Sequence, residues 1–206
     1  MLGARSPRPV RAATVFPPLP AALVQNVRKR IAELVAGACM ARFNAVGDLV
    51  ALRDRNPVVS EPLLAEFDTL LPELIRDPAR GGYIGNNTME EAAVGFMARL
   101  HGLIRGSMRR DVTGIAEFVD RGDQTWDVKS PVSPPVGAAW KLDAGHIVTK
   151  IRHDLMQGDR VLLNLMRCTS ADSTAIVAVV QSGLNATERD RVSVLLRRPD
   201  LQAPRA

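Results

Sequence analysis

The feature that most constrains this chain is a pair of alternating segments around a glycine turn. Ala116 to Asp120 and Thr125 to Lys129 flank Arg121-Gly122-Asp123-Gln124. Alternation with period two is the pattern of a β-strand, and a short Gly-containing link between two such segments is the pattern of a hairpin. The strands are expected over Gly114–Asp120 and Thr125–Ser130. Centred on Gly122, the hairpin sets Phe118 opposite Trp126, Ala116 opposite Val128 and Glu117 opposite Asp127. One face, with Ala116, Phe118, Trp126 and Val128, is apolar and belongs to a core. The other carries Glu117, Asp127 and Lys129. Asp120 falls by parity on the face of Trp126 and is set apart from the polar group.

Two carboxylates directly across a strand pair repel one another and weaken the hairpin. A divalent cation offsets that cost, because hard cations take carboxylate oxygens and keep positions for water and phosphate. A lysine on the same face can stabilise charge developing on a phosphoryl group or orient a water. The competing account is an ordinary solvated polar face, and a D-x-K triplet by spacing alone does not separate the two.

The rest of the chain reads as helices and strands around this hairpin. Residues 1–20 form a proline- and arginine-rich leader, and a proline cluster at 17, 18 and 20 rules out the apolar core of a signal peptide. From Ala21 to about Arg55 the apolar residues Leu23, Val27, Ile31, Leu34, Val35 and Met40 recur at helical spacing, giving one long helix or two broken at a glycine. Asn56-Pro57 signals a turn. Ser60 caps a second helix lined by Leu63, Leu64, Phe67, Leu70, Leu71, Leu74 and Ile75, which stops before Asp77-Pro78. The glycine-rich stretch from Arg80 to Asn87 matches no phosphate-binding fingerprint and is read as a junction. This divides the chain into a leader (1–20), a helical segment (21–78) and an α/β domain (79–206). In that domain Thr88 caps a helix from Met89 to about Gly106. After the hairpin come a helix from about Ala138 to Met156, a strand at Val161–Met166, an ambiguous apolar stretch at Thr174–Gln181, and a last strand at Val192–Leu196. The order α-β-β-α-β-α-β predicts an α/β fold, a mixed central sheet flanked by helices, with an N-terminal helical segment.

Composition narrows the function classes. With 46% hydrophobic and 24% charged residues the chain has the make-up of a soluble globular protein. No segment reaches the length of a membrane-spanning helix. Cys39 and Cys168 lie far apart without ligand-like spacing, which argues against a structural zinc site and a disulfide framework. A net charge of +5, carried mainly by arginine, suits a phosphate-bearing partner, whereas 4% aromatic residues leaves little for an extended base-stacking surface.

The stretch Glu117-Phe118-Val119-Asp120 and Thr125-Trp126-Asp127-Val128-Lys129-Ser130-Pro131 resembles the core of the PD-(D/E)XK nuclease superfamily. More narrowly, it resembles nuclease toxin domains of contact-dependent inhibition and other polymorphic toxin systems. The shared order of a helix bearing a glutamate, an acidic strand, an acid-x-lysine strand, a helix and further strands spans about residues 86–197. The resemblance implies that Asp127 and Lys129 are the acid-x-lysine pair and that Glu117 takes the place of the strand acid, where the family has Pro-Asp and this chain has Ala116-Glu117. It implies a helical glutamate at Glu90 or Glu91. With Met89, Ala93, Phe96 and Leu100 on the buried face, Glu90 lies at its margin and is preferred. The activity implied is metal-dependent phosphodiester hydrolysis of tRNA or DNA, with Mg2+ as the first choice of ion and Mn2+ or Zn2+ as alternatives. A cognate immunity protein is implied as partner, with the bacterial cytoplasm as the site of action and delivery from a secreted or surface-presented parent.

Further candidates surround the hairpin. Arg109 and Arg110, with Arg105, form a basic patch suited to backbone phosphates, and Lys141 and Lys150 are possible further contacts. His146, Lys150 and His153 share one helix face as phosphate contacts or a zinc site, and Ser130 adjoins Lys129. Two other functions stay open: a nuclease-like module with a degraded site that binds nucleic acid or protein, and an interaction protein built on the N-terminal helices.

Overall fold

The computed structural model describes residues 16–52 and 58–198; most of the leader and the Asn56-Pro57 turn lie outside the described residues. Helix α1 spans Ala21–Gly37 and buries Val27, Ile31 and Leu34. The chain then enters strand β1 (Ala38–Phe43), turns, and returns as β2 (Leu49–Ala51). Helix α2 is Glu61–Leu74 and α3 is Asn86–Leu100. Three antiparallel strands follow: β3 (Met108–Arg110), β4 (Phe118–Asp120) and β5 (Thr125–Lys129). Then come α4 (Ala144–Gln157), β6 (Arg160–Asn164), α5 (Ser170–Gly183), the short α6 (Ala186–Asp190) and β7 (Val192–Arg197).

The strands form one seven-stranded mixed sheet in the order β2-β1-β7-β6-β5-β4-β3. β5, β6 and β7 are mutually parallel and all other pairs antiparallel. Parallel neighbours need a crossover, and α4 and α5 supply the two required. Their side of the sheet is filled by Val148, Ile151, Leu155, Ile176 and Val180 against Val161, Leu163, Val192 and Val194. The opposite side is filled by α1, α2 and α3 against Met40, Met108, Phe118, Trp126, Val128, Leu162 and Leu195. The unbroken apolar run Val161-Leu162-Leu163 is thus explained, because successive side chains enter different cores. The α/β class with a mixed sheet between helices is as the pattern predicts.

The hairpin register is also as expected at its centre: Phe118 pairs with Trp126 and Val119 with Thr125. Asp120 caps the turn, its Oδ1 accepting from the N–H groups of Gly122 (2.8 Å) and Gln124 (3.1 Å) while Oδ2 accepts from the Trp126 indole (3.2 Å). Asp123 takes a left-handed φ of 58° to close it. The α4 start is moved from Ala138 to Ala144 by Asp143, whose carboxylate caps the His146 N–H at 3.0 Å. Thr174–Gln181 resolves as helix within α5, capped by Thr169.

Three expectations are corrected. The stretch from Ala21 to Arg55, expected as one long helix or two broken at a glycine, is helical only to Gly37; β1 follows, and Asn44 turns it back by accepting from the N–H groups of Val46 and Asp48, with Gly47 at φ 93°, while residues 53–55 lie outside the described residues. Ala, Met and Arg are helix formers, so the strand 38–43 has no local signature; its pairing with β7 imposes it. Second, α3 begins at Asn86 after Gly85 rather than behind Thr88, whose hydroxyl instead binds the Gly85 backbone, and it ends at Leu100, leaving room for the unforeseen β3. Third, the division at residue 78 does not separate two bodies. β1 lies between β2 and β7, and α1 and α2 share one core with α3.

α3 lies against the hairpin through Gly95. A Cβ there would meet Met108 Sδ and Phe118 Cε2, both at 2.9 Å. Gly95→Leu is expected to destabilise the fold by about 1–3 kcal/mol through overpacking. An unchanged urea midpoint would disprove the close packing of α3 on β3 and β4.

Candidate active site

Just before β4, the Glu117 backbone N–H donates to the Trp126 carbonyl at 3.0 Å rather than continuing the ladder. Its carboxylate reaches Arg110 at 2.5 Å, and the same guanidinium contacts Glu91 at 3.0 Å. Arg110, expected in an exposed basic patch, is therefore buried at 6% exposure, over the ring of Phe118. Its parity explains the correction: Arg110 pairs with Phe118 across β3 and β4, so both side chains enter the core face. Arg109 points the other way, exposed and paired with Asp123.

Asp127 is buried on β5 and accepts from Lys129 Nζ at 2.7 Å. The same ammonium meets Asp154 of α4 at 2.9 Å. Burial acts to lower Lys129, but Asp127 and Asp154 outweigh it, so its pKa is raised and it stays a cation. Burial pushes Asp127 up to about 6 against the lowering effect of Lys129. Burial, then the charge of Glu91, pushes Glu117 up to about 8, with Asp127 adding a smaller repulsion and Arg110 opposing. Glu91, Glu117 and Asp127 thus form one electrostatic cluster.

Glu90, preferred as the helical acid, is not part of it. Its carboxylate accepts from Arg30 Nε and Nη2, both at 2.7 Å, and from Asn164 Nδ2 at 2.7 Å. Burial would raise its pKa, but these hydrogen bonds and the Arg30 charge overcome it and hold Glu90 below the usual carboxylate range. Glu91 is the glutamate that reaches Glu117. The helical wheel placed Glu91 opposite the buried face of α3, but Arg110 of β3 reaches it there and it is half-buried.

A cavity of about 270 Å³ opens beside this cluster, reaching it through Glu91 and Lys129 and lined also by Glu90, Val128, Ser130 and Lys150. It lies at the carboxyl end of β5, between α3 and α4, where an open parallel sheet places its ligands. Ser130 at its wall accepts from Asn164 at 3.2 Å. Lys150 stands at the rim, Lys141 is exposed on the preceding loop, and His146 and His153 are exposed on α4, with His153 Nδ1 3.5 Å from Asp154. Asp154, Arg30, Asn164 and Arg167 were not foreseen. Only Asp154 left a trace in the sequence, as a carboxylate beside Ile151 and Leu155 on an otherwise apolar helix stripe.

The donor set of Glu91, Glu117 and Asp127 fits a hard divalent cation in its chemistry, being all-oxygen, with Asp127 buried and Glu91 and Glu117 half-buried. Its present geometry is closed by Arg110 and Lys129 instead. Among the described residues no group of three or more His, Cys, Asp or Glu is arranged so that it could hold a metal ion.

Comparison with protein-family models, curated proteins and solved structures finds no match.

Both raised carboxyls bind protons more readily in the folded than in the unfolded chain. Their contribution to stability is complete below the unfolded values and is lost as pH rises through about 6 and about 8. The melting temperature is expected to fall between pH 5 and pH 8 in metal-free buffer, and Glu117→Gln to flatten that fall. Parallel profiles for the two proteins would remove Glu117 from the cluster.

Proposed function

We propose that the chain is a metal-dependent nuclease that hydrolyses phosphodiesters at the Glu91, Glu117, Asp127 and Lys129 cluster. The carrying observation is that Lys129, in the wall of a cavity, is clamped between the buried carboxylates of Asp127 and Asp154, close to Glu117, whose carboxyl is raised by burial and by Glu91. Such paired, strongly perturbed groups in a cleft are costly for stability and are characteristic of functional sites. The resemblance of Glu117 to Pro131 to the PD-(D/E)XK core supports the same chemistry, with Glu91 in place of Glu90 as the helical acid.

A divalent ion, Mg2+ before Mn2+ or Zn2+, supplies Lewis acidity toward the phosphate and an activated water when bound. Asp127, Glu117 and Glu91 would hold it. Lys129 keeps its proton and presents Nζ to the charge developing on the phosphoryl oxygens. Asp154 positions that ammonium from the far side, so Lys129 is oriented before substrate arrives. Arg110 fixes Glu91 and Glu117 side by side. Lys150, at the cavity rim, and the exposed Arg109 and Lys141 would meet the charged backbone of a tRNA or DNA substrate. The toxin-like segment extends the proposal to a bacterial effector acting in the cytoplasm and neutralised by a cognate immunity protein.

The Arg110 bridge favours one second reading, a nuclease-like module whose cation site is taken by an internal arginine and which only binds. Incubation of the chain with tRNA and plasmid DNA in Mg2+, Mn2+ or EDTA separates the two. Metal-dependent cleavage is expected; binding without cleavage would select the module.

Asp127→Ala and Lys129→Ala are each expected to lower cleavage on the order of 100-fold or more with the fold intact by circular dichroism. Glu91→Gln is expected to do the same, whereas Glu90→Gln weakens the Arg30 link and lowers stability. Full activity in purified Asp127→Ala would sink the assignment.

A further inference from the structure

Beside the carboxylate cavity lies a second one of about 360 Å³, walled by Asn26 and Arg30 of α1, Asn86, Met89 and Glu90 of α3, and Arg167. The two cavities share Glu90, so the first turn of α3 is the ridge between them. Glu90 stays ionised at the second cavity, its charge offset by Arg30 and its remaining oxygen capacity used by Asn164. Its effect is to hold the Arg30 fork still. Glu90 takes the Nε and Nη2 donors and Glu33 takes Nη1 at 3.1 Å. Of the five N–H groups of a guanidinium, this leaves two for a ligand.

Arg167 completes the wall differently. It is exposed on the turn after β6, and its guanidinium acts on Glu90 through charge, without a hydrogen bond among the described residues. Between the two arginines stands the start of α3, a 15-residue helix with no acidic residue in its first turn. The first N–H groups of such a helix have no intrahelical acceptor and carry its positive dipole end. Asn86 and Asn26 add side-chain amides at the same mouth. Two guanidiniums, one fixed and one free, with amide donors between them, match the tetrahedral oxygens of a phosphate diester.

The geometry points to this second cavity as a subsite for a phosphodiester of the nucleic-acid strand next to the one cleaved, held by Arg167 and Arg30; this rests on the nuclease reading. It makes α1, which lies outside the nuclease-like segment, a part of the substrate machinery. The strand would cross the ridge of α3, one phosphate on each side of Glu90.

The test uses the full chain with three substrates: a labelled single-stranded oligonucleotide, a labelled duplex, and the small diester bis(p-nitrophenyl) phosphate, too short to fill both cavities. Arg167 is exposed, so Arg167→Ala is expected to fold. It should raise KM for the oligonucleotides roughly 3- to 10-fold with kcat little changed, and lower the slope of log affinity against log salt by about 1. Hydrolysis of the small diester should not change. Arg167→Lys should restore much of the affinity, and Arg80→Ala, an equal charge change on the turn Pro78–Arg80, should have no comparable effect. Unchanged KM and salt slope in Arg167→Ala, with the parent active, would overturn the subsite alone. A loss matched by Arg80→Ala would reduce it to general charge and overturn it too. A parent chain that neither binds nor cleaves any of the three would overturn the nuclease reading itself.

Discussion

Glu90 is a charged group buried at 8% exposure, and the arrangement of the molecule depends on how that charge is met. A buried carboxylate is tolerable only when paired and hydrogen-bonded. Arg30 comes from α1, Asn164 from the end of β6, and Glu90 itself from α3, so one ion pair and one amide bind three elements distant in sequence. Because α1 leads directly into β1, the pair also fixes the angle at which the N-terminal segment joins the sheet. Its neighbour Glu91 is thereby turned toward Arg110 and Glu117. One residue step on the helix separates the carboxylate held by Arg30 from the one held by Arg110.

The division of labour between the two sheet faces follows from the same logic. Even-numbered residues of β5, Trp126 and Val128, enter the α1–α3 core, while Asp127 and Lys129 leave toward α4 and meet Asp154. The cluster is held from both sides by cations that belong to the fold, Arg110 from the edge strand and Lys129 from within. Removing either cation would leave the carboxylates it meets, Glu91 and Glu117 or Asp127 and Asp154, without that partner, at some cost in stability.

What was legible in the sequence was local. Period-two alternation with a glycine turn located β4 and β5 and their register, and the same pattern set Asp120 apart from Glu117 and Asp127. The apolar runs gave the later helices and strands to within a few residues. β1 was not legible, since Ala38, Met40, Ala41 and Arg42 favour helix and only pairing with β7 makes them a strand. What Glu90 and Glu91 each bind was not legible for a related reason. A helical wheel reports how apolar a side is, but Glu90 faces the interior because Arg30, sixty positions away, is there to receive it. Arg110 looked like a surface cation beside Arg109 until β3 was seen to pair with β4 and alternate the two. Lys129 was visible as a type, Asp154 as its anchor was not.

The seam between β1 and β7 has a bearing on how such a chain reaches its native state. Ala38 pairs with Arg197, and Arg198 donates to the Ala38 carbonyl across a separation of 160 residues. Contacts that close loops of this length form late, because their entropic cost comes before any reward. β7 is also the partner that β6 needs on its far side, and β6 flanks β5, which carries Asp127 and Lys129. On a ribosome, then, β1 and β6 are both made before the strand that joins them, and the sheet becomes continuous only with the last strand of the described residues.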